Sequence, residues 1–421
     1  MRIVSLQSGT SADGIDVAVV DVGAVDMRPG EPGAASADDA ADAAVRLDPV
    51  LLRTVPWAAA LRRELLDAAL GARLDAGDWC RLDTRLGQAF AAAAEEAIAE
   101  SGGHADLIVS HGQTAHHWVE DGHARGTLQL GEPAWIAERT GAPVLSHLRA
   151  ADIAAGGEGA PLMAVFDRLW LIGEARRIGR PLATVNLGGI ANVQVVAPDG
   201  GVLAFDSGPG NALLDEAVAR ATEGAEAYDR DGRRAASGRV HGTLLAELRA
   251  HPYFAAATPK TTGRETFHLG VVDAAADRAG ARDLPLDDLA ATLAELTALA
   301  VAEALDGTGA AELVVSGGGA LNPALLARLA DHAGRRGIRV VSSAERGLDP
   351  AFKESLMFGL LGYLSWHRVP VRVAGPASRI AGRITPGPAS FALPEPLGGV
   401  ASVVVGAGAA DDGAAGGGGA A

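Results

Sequence analysis

The chain has 421 residues, 48% of them hydrophobic and 21% charged, enough to bury a large core and to divide into two domains. A formal charge of −16 argues against nucleic acid or an acidic membrane surface as the main partner, so an anionic ligand must be met by local donors. The one cysteine, Cys80, excludes an internal disulfide or a cysteine-built zinc centre; no apolar run reaches membrane-spanning length, and the expectation is a cytoplasmic protein without a cleavable leader.

Apolar residues 3–6 and the alternating run 15–22 predict two strands joined by Ser8-Gly9-Thr10-Ser11-Ala12-Asp13-Gly14-Ile15-Asp16. Uncovered amides and hydroxyls in such a turn suit phosphate oxygens, and its carboxylates suit a phosphate-bound Mg²⁺. The same residues also make ordinary turns. Residues 25–44 are rich in Gly, Pro, Ala and Asp without period and read as a mobile insertion. Helical periodicity follows over 57–70 and 79–99, then a short strand over 107–109. Ser110-His111-Gly112-Gln113-Thr114-Ala115-His116-His117 comes next. Its three histidines lack a carboxylate at matching spacing, so a loop lining a polar pocket is expected rather than a metal centre.

A strand is expected over 127–130, a helix over 133–139 with Pro133 at its start, and a strand over 143–145. Arg149 and Asp152 then stand ready to clamp a polar group, or to pair with each other. Residues 182–196 repeat the opening pattern, with Asn186-Leu187-Gly188-Gly189-Ile190-Ala191-Asn192 between two apolar runs. This reads as an internal duplication whose two loops wall one cleft. Asp206-Ser207-Gly208-Pro209-Gly210-Asn211 offers an open carboxylate, a general base or metal ligand if it is not a turn or cap residue. Lys260, one of only two lysines, lies in Thr258-Pro259-Lys260-Thr261-Thr262-Gly263-Arg264-Glu265, which is either an anion-contacting loop or a solvated one. No Gly-Lys pair exists, so the usual P-loop is excluded. A helix is expected over 286–300 and a strand over 313–315. Gly317-Gly318-Gly319-Ala320-Leu321 follows, and Asn322-Pro323 opens a helix, a nucleotide-site arrangement. Residues 354–366 read as an apolar helix, and 405–421 as a disordered Gly/Ala tail.

Three Gly-rich loops, an isolated Asp and an acidic hairpin on duplicated α/β halves suggest an ATP-dependent phosphotransferase. The first loop, the Ser110 and Asp206 segments, Arg149-x-x-Asp152 with Ala154-Ala155-Gly156-Gly157 and Gly159-Ala160-Pro161-Leu162, and the later Gly-rich motifs together resemble the anhydro-N-acetylmuramic acid kinase family over about 3–365. The resemblance implies an α/β fold of two ribonuclease-H-like lobes of duplicated topology, sugar kinase/actin-like, with an ATP/substrate cleft between them. The expected lobes are 1–180 and 181–404. It implies opening of the 1,6-anhydro bridge by water and phosphorylation at O6 from ATP with Mg²⁺, in cell-wall recycling, by a homodimer.

Carried over, Asp206 is the base. Gly9, Thr10, Ser11, Ala12, Asp13, Gly14, Ile15, Asp16, Gly188, Gly189, Asn192, Gly317, Gly318, Gly319 and Asn322 form the nucleotide site. His111, Gln113, Thr114, Arg149, Asp152 and Gly208 form the sugar site, with Arg149 meeting the lactyl carboxylate; Asp13 and Glu354 hold the metal. Gln7, His147 and Glu158 depart from the family pattern, where Met, Asp and Gln are usual, and all three bear on the sugar side. The alternatives are a kinase of another anhydro sugar such as levoglucosan, and a non-catalytic nucleotide-responsive regulator on the same scaffold.

Overall fold

Alternating apolar residues place Val4 and Leu6 on one face of β1 (Arg2–Ser8) and Ile3 and Ser5 on the other. β1 runs antiparallel to β2 (Gly14–Val25), with Gln7 opposite Asp16, and β2 antiparallel to β3 (Ala43–Pro56). α1 (Ala59–Ala69) and α2 (Ala76–Glu100) follow; Asp75 and Asp78 cap the start of α2 reciprocally. Leu82, Leu86 and Phe90 of α2 pack against Val4, Leu6 and Ile108. β4 (Leu107–Glu120) lies parallel to β1 and forms a hairpin with β5 (His123–Leu130). α3 (Pro133–Thr140), β6 (Val144–Ser146) parallel to β4, and α4 (Ala150–Ala154) complete this stretch, and α5 (Met163–Ile178) carries the chain onward. The computed structural model describes residues 1–9, 12, 14–25, 43–69, 71–263, 266–373, 377–389 and 391–406.

The same order of strands then recurs. β7 (Leu182–Leu187), β8 (Ile190–Val196) and β9 (Val202–Pro209) form an antiparallel meander. The helices α6 (Ala212–Ala221), α7 (Arg233–Ser237), α8 (Gly242–Arg249), α9 (Pro252–Ala255), α10 (Leu269–Ala279) and α11 (Leu286–Ala304) come next. β10 (Glu312–Ser316) pairs parallel with β7. After α12 (Pro323–Gly334), β11 (Arg339–Ser342) pairs parallel with β10. The second sheet therefore reads β11-β10-β7-β8-β9, and the first contains β6-β4-β1-β2-β3 with the same parallel and antiparallel senses. The duplication read from the two glycine-containing hairpins is a duplication of topology.

The chain forms two units, one of Met1–Phe166 with the chain from Glu354 onward, the other Asp167–Lys353. This differs from the expected division near 180. The physical reason lies in α13 (Lys353–Trp366), whose apolar residues cover the free face of the first sheet. Ser5 donates to the Ser355 carbonyl (2.8 Å), and a Cβ on Gly362 would stand 2.3 Å from Val109. β12 (Arg383–Thr385) then extends the first sheet beside β6, and β13 (Val400–Val405) beside β3.

Two further expectations are corrected. The 110–114 segment is not a loop leaving a strand: β4 runs on to Glu120, because Gly112 (φ 68°) takes up the register shift opposite Leu6 and Gln7 and pairing resumes with β5. Asp206 likewise lies within β9, opposite Asn192, rather than beyond the strand. The insertion at 26–42, the tail from 407 and the nucleotide-loop residues Thr10, Ser11 and Asp13 lie outside the described residues.

Within the second unit, Asp167 and Lys353 form a buried ion pair of 2.7 Å, with side chains 0% and 3% exposed. Thr184 donates to the other carboxylate oxygen (2.7 Å), and the Lys353 ammonium lies 5.6 Å from the Trp170 ring centroid. These two residues are the first and last of the unit, so the pair joins its two ends.

Candidate functional site

The expected residues fall into two groups, one per unit. In the first unit, Gly9 and Ala12 close a turn (Ala12 amide to Gly9 carbonyl, 3.0 Å), and Gln113 donates to the same carbonyl (3.1 Å). The Ala12 and Ile15 side chains are buried in the core, so only their main chain is available to a ligand. Asp16 is held by Gln7 (2.9 Å) and by the Thr54 hydroxyl (2.6 Å), which gives the departure at Gln7 a structural reason. Gly14 leaves no room for a side chain beside Thr54.

His111 stacks on Phe358 (centroids 4.6 Å apart) and places its Nε2 3.3 Å from Arg149 Nη2 and 3.4 Å from the Thr114 hydroxyl. Burial, Arg149 and His147 together hold its pKa well below the usual histidine range, so the ring is a neutral acceptor. Burial also lowers the Arg149 pKa, with nearby Glu354 acting against it. Arg149 and Asp152 meet one residue in common: Arg149 donates to the Gly159 carbonyl (2.9 Å), and Asp152 accepts from the Gly159 amide (2.8 Å). Asp152 thus shapes the 157–159 turn and helps place Arg149. Two other departures have local partners. Glu158 accepts from the Ala124 amide and pairs with His123, and His147 lies 2.6 Å from the Arg383 guanidinium.

In the second unit, three small-residue loops pack on one another. The Gly188 and Gly189 carbonyls accept from the Asn211 and Gly210 amides (2.7 and 2.9 Å), and Asn211 also donates to Leu187 O (3.3 Å). Gly317 (φ 84°) would drive a Cβ to 2.4 Å from Asn186 Oδ1, so only glycine fits. Asn322 caps α12 through the Leu325 amide (3.0 Å), as read from the sequence. Gly208 is backed by Phe254.

Asp206 is half-buried. The Asn192 amide nitrogen donates to one carboxylate oxygen, and the Thr262 main-chain amide to the other (2.9 Å). Burial raises its pKa above the ordinary aspartate range, and the two donors only partly offset this. A carboxylate in such a setting is a stronger base than one in water. Lys260 is not presented as an anion contact: its ammonium donates to the Tyr253 carbonyl (2.9 Å) and lies over the Tyr253 ring. Tyr253 itself carries no motif and was missed; its hydroxyl donates to the Asp206 carbonyl (2.7 Å). Among the described residues no group of three or more His, Cys, Asp or Glu is placed to hold a metal, and no helix is long and apolar enough to cross a membrane.

Duplicated β-meanders with parallel crossovers and glycine loops at the strand ends are the topology of the sugar kinase/actin-like class. The family model for anhydro-N-acetylmuramic acid kinase matches residues 1–382. An anhydro-N-acetylmuramic acid kinase of Streptomyces coelicolor is 47% identical over 403 residues, covering 94% of this chain and 97% of that protein. One of Rhodococcus erythropolis is 44% identical over 401 residues, covering 92% and 94%. Among solved structures, the activator of the 2-hydroxyisocaproyl-CoA dehydratase from Clostridium difficile aligns over 86% of this chain and 94% of its own at 11% identity, with a TM-score of 0.42. The chain belongs to the anhydro-N-acetylmuramic acid kinase family, a family of peptidoglycan recycling, and is an ATP-using kinase.

Proposed function

We propose that the chain adds water to C1 of 1,6-anhydro-N-acetylmuramic acid while O6 takes the γ-phosphoryl group of ATP, giving N-acetylmuramic acid 6-phosphate and ADP. The C1–O6 bond breaks, the water oxygen bonds to C1, and Asp206 receives the water proton. The observation that carries this reading is the Asp206 carboxylate, desolvated but held by Asn192 and the Thr262 amide, so that a lone pair is aimed and basic. Phosphoryl transfer otherwise needs positioning and charge neutralisation. In the first unit the main chain of Gly9, Ala12 and Gly14 would meet the nucleotide phosphates; in the second, Gly317, Gly318 and Gly319 would lie near adenosine. Gly188, Gly189 and Asn211 hold the second-unit loops in shape. Asp13 and Glu354 would supply oxygen ligands to Mg²⁺, which neutralises phosphate charge when bound.

Arg149, beside the neutral His111, would meet the lactyl carboxylate of the sugar. A cytoplasmic homodimer is the expected working form. The test is ATP consumption with anhydro-N-acetylmuramic acid, with levoglucosan and with no sugar. Turnover with the acidic amino sugar alone is expected. Turnover only with levoglucosan transfers the reading to a neutral anhydro sugar, and ATP binding without turnover on either sugar transfers it to a regulator.

A further inference from the structure

The main chain of Asp206 is as closely held as its carboxylate, and by the same segment. Its amide donates to the Lys260 carbonyl (2.8 Å), and its carbonyl accepts from the Tyr253 hydroxyl (2.7 Å). Lys260 closes the circuit by donating from Nζ to the Tyr253 carbonyl (2.9 Å), with the ammonium 4.5 Å from the centre of the Tyr253 ring. Two residues further on, the Thr262 amide reaches the carboxylate. The Tyr253 ring is fixed from its other sides by Phe254 and Phe267, both edge-on, with centroids 6.1 and 5.3 Å away. Residues 253–262 therefore form a closed clasp on both the main chain and the carboxylate of Asp206.

We propose that Tyr253 and Lys260 are positioning residues for Asp206: the tyrosine hydroxyl fixes its main chain, and the lysine fixes the tyrosine and the 260–262 stretch that delivers the Thr262 amide. The proposal rests on the reading of Asp206 as base. A lysine suits this place better than the arginine used almost everywhere else in the chain. A compact ammonium reaches a carbonyl and lies over a ring at once, whereas a planar guanidinium is bulkier. The Tyr253 phenol is held protonated by burial and by the adjacent Asp206, so it stays a donor through the working pH range. The groups facing Asp206 among the described residues are Asn192 from β8, and Tyr253, Lys260 and Thr262 from this segment; of these only Tyr253 and Lys260 titrate.

The test compares Tyr253→Phe, Lys260→Met, Lys260→Arg and Asp206→Asn in the full chain, reading kcat, both KM values and the acid limb of the pH profile. Loss of one hydrogen bond at the base predicts that Tyr253→Phe and Lys260→Met each lower kcat about threefold to tenfold. Both KM values should stay within about twofold, because the polar atoms of both side chains are engaged with main-chain carbonyls. The acid limb should move to higher pH, since a loosened Thr262 amide stabilises the carboxylate less. Lys260→Arg keeps a donor and a cation over the ring but not the compact fit, so it should recover kcat only in part. Tyr253→Phe removes a single oxygen and carries the test if Lys260→Met fails to fold. Unchanged kcat and limb in both variants, with Asp206→Asn inactive, overturn the clasp and leave the base reading standing. So does a loss of kcat matched by rising KM for both substrates. Normal turnover of Asp206→Asn overturns the base reading and the clasp with it.

Discussion

Replacing Lys353 by Met should destabilise the second unit severely. Asp167 is fully buried, and its carboxylate has the Lys353 ammonium at 2.7 Å and the Thr184 hydroxyl at 2.7 Å on its other oxygen. The substitution leaves that charge in the interior with one neutral donor, at a cost of about 3–5 kcal/mol. For a unit of this size that corresponds to a fall in midpoint of about 6–20 °C. Asp167→Asn should cost less, because the stranded ammonium keeps the Trp170 face, a contribution of up to about 2 kcal/mol. The double variant, with neither charge, should recover most of the loss, since two apolar or neutral groups of similar volume need no desolvated partner. Thermal melts followed by circular dichroism, with the four proteins arranged as a double-mutant cycle, give the coupling directly. A Lys353→Met protein within about 1 kcal/mol of the parent would mean that the pair behaves as a solvated surface pair, and the reasoning would fail.

Four other outcomes are expected. Since burial raises the Asp206 pKa, kcat/KM should fall on the acid side with a midpoint above the ordinary aspartate value of about 3.9; a limb at or below that value counts against Asp206 as the base. The same shift means that the folded state binds the Asp206 proton more tightly than the unfolded chain does. Stability is therefore lost as pH rises through the folded pKa, and at neutral pH Asp206→Asn should melt no lower than the parent while abolishing turnover. Gly317→Ala forces a Cβ to 2.4 Å from Asn186 at φ 84° and should destabilise by more than about 1 kcal/mol, read in urea, with a raised KM for ATP. Arg149→Met should raise KM for the carboxylated sugar far more than KM for ATP; equal effects would separate Arg149 from the sugar.

How much of this was readable in advance depended on the range of the interaction. Asn322-Pro323 and the amphipathic run over 286–300 announce α12 and α11, because caps and periodicity are written within a few residues. The paired hairpins were legible for the same reason, and the matching strand orders followed from them. β3 is not legible locally, because Asp48-Pro49 breaks its alternation and the strand continues only through a register shift against β2. The length of β4 was also missed, because His116 and His117 look like loop residues until β5 is there to pair with them. The return of α13, β12 and β13 to the first sheet depends on contacts hundreds of residues apart, which no local pattern encodes. At the site, Asp206, Asn192 and the glycines carried motif signals. Tyr253 did not, because its role is a single hydroxyl directed at a main-chain carbonyl.

The placement of β13 has a consequence for the order of events during synthesis. Residues 167–353 are continuous, and everything their sheet requires has emerged once β11 is made. The earlier-made strands β1 to β4 must wait for α13 to roof one side and for β13 to flank β3. The segment translated second is thus free to mature first, while the segment translated first stays half-covered until the last strand arrives. A chain truncated shortly after Trp366 would hold one finished body and one with an uncovered β3 margin, a target for chaperones and proteases at a predictable place.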